Sequence, residues 1–381
     1  MVAIWFDHRV VFWRELFTGC PDPTQKIFDL LINVRSLLAA PFFNPVISGQ
    51  NRTMKNVNGL HHVTAIAGPA QENLDFYAGV LGMRLVKKSV NQDDPGTYHL
   101  FYADAEGHPG TDITFFPWAD LAPSQDGYGL STEVSLTVAP GSLEFWRERF
   151  TRYGTRVFDL ETRFGQRVLP LADPHGLRLA LVESKSSLDR AFSAWKESPI
   201  PVEHQIRGLE SARMVEQDLA NTASFLRESL SFEKLGEENG WQRYALSEAD
   251  GSAPQASVSG RYLDLRAAPA ARRGAWGTGS IHHLAWRVED DDHELDMRER
   301  VLRGGAHPTP VIDRFWFKSV YFREPGGVLF ELATDGPGFH VDEKLESLGE
   351  ALVLPPWLEP NRAAIEKVLP PLILPIEKSM Y

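Results

Sequence analysis

The chain has 381 residues, 43% of them hydrophobic, 11% aromatic and 24% charged, a globular composition with enough apolar material for more than one core, so two compact units are expected. A formal net charge of -12 excludes the basic footprint that nucleic acid demands and favours small-molecule chemistry. The single cysteine, Cys20, excludes a disulfide framework or thiolate cluster and points to a reducing, cytoplasmic compartment.

No membrane partner is expected either: no run of about 18 uncharged apolar residues exists, and Asp7, Arg9, Arg14 and Glu15 interrupt the one apolar N-terminal stretch. Residues 1–57 do not share the repeating pattern of the later chain. Phe28 to Ala40 reads as an amphipathic helix stopped by Pro41, with Arg35 inside it. Because Met54 directly precedes the first strand-like run, this stretch is either an N-terminal extension or the result of a start codon assigned too early.

From Gly59 a unit recurs. Leu60 to Ile66 reads as a strand, Gln71 to Leu81 as a helix stopped by Gly82, and Arg84 to Val90, Thr97 to Asp104 and Thr111 to Pro117 as three more strands. The same order returns from Leu130 to Val182, with helix Ser142 to Tyr153. It returns again from Ile206 to Arg266, with helix Leu219 to Leu230, and from Ser280 to Thr334, with helix Asp291 to Gly304. The period predicts an α+β fold of four βαβββ modules that bury their faces against one another as paired cupped-sheet domains. Residues 58–185 hold modules 1 and 2, and residues 206–335 hold modules 3 and 4. Lys185 to Gln205 is polar and proline-punctuated and reads as a linker, Ala267 to Gly279 as a flexible one, and Asp250 to Ser259 as a long hairpin loop. Residues 336–381 read as a proline-rich tail with a short helix near Arg362 to Val368, wrapping the body and covering a cavity mouth.

The chemistry concentrates in two places. Ser319 to Phe322 and Val328 to Thr334 flank the turn Glu324-Pro-Gly-Gly327 and predict a hairpin that carries Glu331 in the middle of a hydrophobic strand. A carboxylate there is either on a solvent face or buried and paired. Two of the four modules open alike, Gly59-Leu-His-His-Val-Thr64 and Ser280-Ile-His-His-Leu-Ala285, whereas the other two have no histidine at that point. Two imidazoles and one carboxylate with open positions suit a non-haem Fe(II) oxygenase.

On these motifs, from about Gly59 to the C-terminus, the chain resembles the vicinal-oxygen-chelate (glyoxalase/bleomycin-resistance/extradiol dioxygenase) superfamily, and within it the hydroquinone-type ring-cleaving dioxygenases. The resemblance implies that His62, His283 and Glu331 bind Fe(II), with Mn(II) as the alternative, and that modules 1 and 4 pair around the metal while modules 2 and 3 form a metal-free scaffold. It also implies an active-site tyrosine at Tyr321, a nearby arginine at Arg314, and supporting roles for His61, His282 and Thr64. The implied reactants are a small aromatic diol and O2; a homo-oligomer is left open.

Other readings of the same residues stand beside these. Tyr321 also fits a packed strand aromatic, Arg314 a loop salt bridge with Asp313, and His99 a structural histidine. Strand alternation puts His62 and Thr64 on one face and turns His61 away, unless the start of the strand is irregular. Catechol-cleaving relatives use further histidines in modules 3 and 4, and Ile206 to Arg266 has none, which leans toward the hydroquinone branch and leaves the proton-transfer group unassigned. A glyoxalase-like metal-dependent isomerase or a metal-assisted thiol transferase would need a fourth ligand from Thr111 to Pro117, where Asp112 is the candidate. A protein that sequesters an aromatic ligand without metal is the remaining class.

Overall fold

In the computed structural model the described residues are 3–6, 9–12, 55–247 and 259–374. The chain divides into two units, Met1–Gly49 and Gln50–Tyr381. The first contains an antiparallel hairpin of Ala3–Phe6 and Arg9–Phe12. The expected helix from Phe28 to Ala40, and the expected hairpin loop from Asp250 to Ser259 save for Ser259 itself, lie outside the described residues.

The second unit is built of the four modules. Module 1 comprises β1 (Leu60–Ala67), helix α1 (Ala70–Leu74) continued by a π-helical turn (Asp75–Val80), β2 (Arg84–Asn91), β3 (Asp94–Ala103) and β4 (Asp112–Pro117). Module 2 comprises β5 (Leu130–Val138), α2 (Leu143–Tyr153), the short β6 (Arg156–Val157) and β7 (Glu161–Arg163), β8 (Gln166–Ala172) and β9 (Arg178–Glu183). In module 3, β10 (Leu209–Glu216) and α3 (Ala220–Leu230) precede β11 (Phe232–Glu238), β12 (Trp241–Leu246) and β13 (Tyr262–Ala267). In module 4, β14 (Ile281–Val288) and α4 (Asp291–Arg303) precede β15 (Ile312–Asp313), β16 (Lys318–Arg323) and β17 (Leu329–Thr334).

Local chemistry sets the boundaries. Gly154 ends α2 in the left-handed region that other residues reach only at a cost. Asp290 caps α4 by accepting from the His293 N–H, and Asp291, Asp292 and Glu294 fill its first turn. β11 was not legible as a strand because Phe-Glu-Lys-Leu-Gly-Glu-Glu is charged and mostly exposed, the composition of an edge strand, and β11 is an edge.

Pairing the modules yields two sheets. One runs β15-β16-β17-β14-β1-β4-β3-β2, joining module 4 to module 1; the other runs β11-β12-β13-β10-β5-β9-β8-β6, joining module 3 to module 2, with β7 beside β8. Within each module the first and last strands are parallel, and between modules the two first strands are antiparallel. Each sheet therefore takes one module from residues 58–185 and one from residues 206–335. The apolar rows of both sheets and the helix faces, with Trp146, Trp286, Phe150 and Phe330 fully buried, belong to one continuous core.

The connections are more ordered than their composition suggests. The segment after Lys185 is anchored by Arg190, whose guanidinium is buried against Glu210 and donates to the Leu209 carbonyl. Residues 267–279, read as flexible, instead pair with residues 122–128 through Ser124 N to Thr278 O, Gln125 N to Ala275 O and Gly274 N to Tyr128 O. The tail wraps module 1. Buried Lys87 donates to the Phe339 carbonyl and Asp342, Ser89 to the Val353 carbonyl, and Tyr98 to the Pro370 carbonyl. Among the described residues, none of the tail lines the cavity described below. Instead the tail backs its wall, with Asp342 accepting from Trp316 Nε1 and Phe339 packed on Phe101. Among the described residues no helix is long and apolar enough to cross a membrane.

Candidate metal centre

β1 and β14 lie antiparallel at the centre of their sheet, and the pairing slips twice. His283 faces Thr64 while Ile281 faces Ala65, and Ala285 faces His62 while Trp286 faces Leu60. The extra residues are His282 and His61. A bulge re-aims the side chain it carries, and here both bulges swing the preceding histidine onto the ring of its neighbour. His61 Nδ1 lies 2.9 Å from His62 Nδ1, and His282 Nδ1 lies 2.8 Å from His283 Nδ1. Regular alternation would have turned both away; the irregular start of the strands brings them in.

The consequence is a fixed tautomer. His61 also donates to the Thr334 carbonyl, so its Nδ1 holds a lone pair and accepts the Nδ1–H of His62. That leaves His62 Nε2 with its lone pair facing inward. Burial lowers the pKa of His61, His282 and His283 below the ordinary imidazole range, keeping these rings neutral donors.

Three atoms converge. Glu331 Oε2 is 2.8 Å from His283 Nε2 and 3.4 Å from His62 Nε2, and the two nitrogens are 3.3 Å apart. All three residues are buried. The other carboxylate oxygen, Oε1, accepts from Ser319 Oγ at 2.6 Å, but Oε2 has no hydrogen-bond donor among the described residues. Burial would raise the Glu331 pKa, yet the two imidazoles hold it well below the usual carboxylate range. Converging buried lone pairs are costly unless a cation joins them, and two imidazoles with a carboxylate are a donor set for a divalent transition metal.

A cavity of about 40 Å³ opens beside these atoms, lined among others by His62, His283, Tyr321, Arg314, Trp316 and Phe317. Tyr321 is the direct cross-strand partner of Glu331, and burial pushes its hydroxyl well above the ordinary phenol value. Burial disfavours the Arg314 charge, but Tyr321 and Asp93 more than restore it. The salt bridge of Arg314 is with Asp93 at 2.8 Å, not with Asp313, whose carboxylate caps the Phe315 N–H. Thr64 Oγ1 is 2.8 Å from Thr114 Oγ1. Of the eight site residues expected from the sequence, His62, His283 and Glu331 meet, His61 and His282 touch the two imidazoles, Tyr321 and Arg314 line the cavity, and Thr64 lies beside it.

Residues 59–181 match the model of the glyoxalase/bleomycin resistance protein/dioxygenase superfamily. The chain is 41% identical over 317 residues, 83% of its length and 97% of the relative's, to a Bacillus subtilis protein provisionally named ring-cleaving dioxygenase MhqO. The chain belongs to this superfamily. It is also 33% identical over 313 residues, 80% of its own length, to 94% of the chlorohydroquinone/hydroquinone 1,2-dioxygenase of Sphingobium indicum. A solved structure of a provisionally named dioxygenase from Bacillus subtilis superposes with a TM-score of 0.78 at 40% identity, covering 84% of this chain and 99% of that one.

The superfamily's repeated module makes the two halves of the site comparable position by position. On β14 and β17, Ala285 pairs with Glu331; on β1 and β4, Thr64 pairs with Thr114. Since His283 and His62 stand at the same place in their strands, Thr114 occupies in module 1 the position of Glu331 in module 4. The fourth place therefore holds a hydroxyl. Asp112, the fourth ligand weighed from the sequence, lies elsewhere: neither of its buried oxygens has a hydrogen-bond partner among the described residues, it is outside the three-residue group, and burial pushes its pKa up to about 7.

The second sheet repeats the register with other chemistry. Glu133 stands in the place of His62, Ser211 of His283, Asp264 of Glu331 and Arg243 of Tyr321. Arg243 grips Asp264 through two bonds of 2.7 and 2.9 Å, Arg163 pairs with Glu133, and Arg213 lies between the two carboxylates. Guanidinium groups supply there the positive charge that a metal would supply in the first sheet.

His99 also reaches the site. Read as structural, it lines the cavity, and its Nε2 lies 2.8 Å from Thr114 Oγ1. The usable signal was alternation: His99, Phe101 and Ala103 share one face of β3, and Phe101 and Ala103 line the inner cluster with Trp316 and Phe317.

Proposed function

We propose that this protein is a ring-cleaving dioxygenase that joins O2 to a hydroquinone at Fe(II) held by His62, His283 and Glu331, with Mn(II) as the alternative ion. The observation that carries the reading is the buried, unbonded Glu331 Oε2 beside two inward imidazole nitrogens. The relatives' names supply the reaction and the substrate class. Once bound, the metal supplies Lewis-acid activation of a ring hydroxyl and a common seat for the reactants.

The chain's own residues do the rest. Ser319 orients the Glu331 carboxylate, and His61 and His282 fix the tautomers of the imidazoles. Phe101, Phe116, Trp316 and Phe317 provide an apolar wall for one aromatic ring and exclude water. Tyr321, kept protonated by burial, donates a hydrogen bond to a substrate oxygen. Arg314, kept charged, favours negative charge developing on that oxygen. A metal-dependent isomerase is less well supported because Thr114 stands where a fourth carboxylate would be.

The decisive experiment loads the protein with Fe(II) under anaerobic conditions and follows oxygen uptake on hydroquinones and catechols. Stoichiometric uptake with a ring-opened product is expected for hydroquinones. Metal binding without oxygen uptake on any diol would reject the reading.

A further inference from the structure

A ring hydroxyl carries a proton with an ordinary pKa near 10, by analogy with tyrosine, and it must leave when that oxygen binds as the anion. Most groups around the cavity are not free to receive it. Tyr321 and Arg314 are both held in their protonated forms. The Nδ1 atoms of His61 and His282 are taken by the neighbouring imidazoles. Glu331 is bonded to Ser319 and faces His62 and His283. Asp93 is held by Arg314, and Asn91 and Gln92 carry amides, which are not bases.

His99 remains. It sits on β3, half-buried, in the wall of the cavity. Its ring is clamped between Phe101, with centroids 3.8 Å apart, and Phe116 at 4.4 Å. Its Nε2 lies 2.8 Å from Thr114 Oγ1, and that oxygen lies 2.8 Å from Thr64 Oγ1. Its Nδ1 has no hydrogen-bond partner among the described residues. If Nε2–H donates to Thr114, and Thr114 to Thr64, then Nδ1 holds a lone pair in a ring fixed on three sides. The two halves of the site then differ in kind. In module 4 the Ser319 hydroxyl orients a carboxylate toward the two imidazoles; in module 1 the Thr114 hydroxyl orients an imidazole at the place left without a fourth carboxylate.

Resting on the ring-cleaving reading above, we propose that His99 is the catalytic base: its Nδ1 takes the proton of the substrate hydroxyl at the position Thr114 leaves free and later returns it to the product. The substrate O–H bond breaks, its electron pair stays on the ring oxygen, and a new N–H bond forms on His99. Dioxygenation adds both atoms of O2 and removes no hydrogen, so the borrowed proton returns to an oxygen of the ring-opened product and the balance closes. Burial, and then the neighbouring His62 and His283 and the charge of Arg314, lower the pKa of His99 well below the ordinary histidine value, opposed by Glu331. Tyr321 and Asp93 line the same cavity. His99 therefore enters the reaction neutral.

The test uses the iron-loaded full chain and two variants, His99→Gln, whose amide can still bond Thr114, and Thr114→Val, which keeps the side-chain shape but removes the orienting hydroxyl. Hydroquinone is titrated anaerobically across pH, and its ionisation on binding is read by ultraviolet difference absorption; iron content and melting are measured alongside. The parent is expected to bind the ionised diol at neutral pH. His99→Gln should move the midpoint for that ionisation up by at least one pH unit and lower turnover by about 10²-fold or more, with iron unchanged; Thr114→Val should shift both in the same direction by less. A His99→Gln midpoint equal to the parent's, in a protein that still cleaves hydroquinone, would overturn the inference and leave the ring-cleaving reading intact. Loss of iron or of cooperative melting in His99→Gln, with an unshifted midpoint in Thr114→Val, would make His99 structural and also overturn it. A parent that takes up no oxygen with any diol would instead remove the reading on which the inference rests.

Discussion

Thr114 stands on β4 at the register position that Glu331 holds on β17. One side chain ends in a hydroxyl, the other in a carboxylate that reaches two imidazoles. Thr114→Glu should supply the fourth donor and close the position the reactants need, since catalytic metal sites keep an open place and closed ones do not. Metal is expected to bind more tightly, by about tenfold or more, while oxygen uptake is lost. Competition against a chelator and an oxygen electrode measure the two effects. Unchanged affinity with retained turnover would show that the Thr114 side chain does not face the metal.

Tyr321 is bound into the same strand pair, directly across from Glu331. Replacing it with Phe keeps the ring that packs near His283, with centroids 5.7 Å apart, and removes the hydroxyl. Turnover should fall by about 10²- to 10⁴-fold, the range for an acid–base group, with metal content unaltered. Activity within about threefold of the parent, well short of that range, would return Tyr321 to a packing role.

Much of this site was legible because module repeats leave a period in the sequence, and paired His-His motifs at equivalent places in two modules mark a shared centre. The hairpin turn at Glu324 to Gly327 likewise fixed Tyr321 opposite Glu331. What stayed hidden depends on contacts between distant strands. The bulges at His61 and His282 exist only in the β1 and β14 pairing, so local alternation pointed those rings the wrong way. The partner of Arg314 is Asp93, on another module, although Asp313 is adjacent in sequence. His99 looked ordinary because its role needs Thr114, brought alongside by strand pairing. The loops at 267–279 looked flexible because their bonds run to residues 122–128.

Glu331 and Ser319 make a graded test of the centre. Glu331→Ala removes one of three donors, and stoichiometric metal should be lost by elemental analysis. Ser319→Ala keeps all three donors but frees Oε1 of its 2.6 Å bond; metal affinity should fall by about 10- to 100-fold, the usual effect of losing a supporting hydrogen bond. Full metal content in Glu331→Ala would exclude that carboxylate as a ligand.

A last prediction lies outside the site and concerns pH. Glu216, at the end of β10, is fully buried, and neither carboxylate oxygen has a hydrogen-bond partner among the described residues. Burial, with Glu324 next to it, pushes its pKa from 4.5 to about 9, against the opposing pull of Arg273. The folded chain thus holds a proton that the unfolded chain releases above about pH 4.5. Its contribution to stability is greatest below that pH and is lost progressively as pH rises toward 9. Glu216→Gln keeps the shape and removes the titration, so it should stabilise the protein by an amount that grows with pH, on the order of 5 kcal/mol at pH 8. Denaturant unfolding of parent and variant at pH 5 and pH 8 reads the difference directly. A gain that is the same at both values would mean that Glu216 is already ionised in the folded chain.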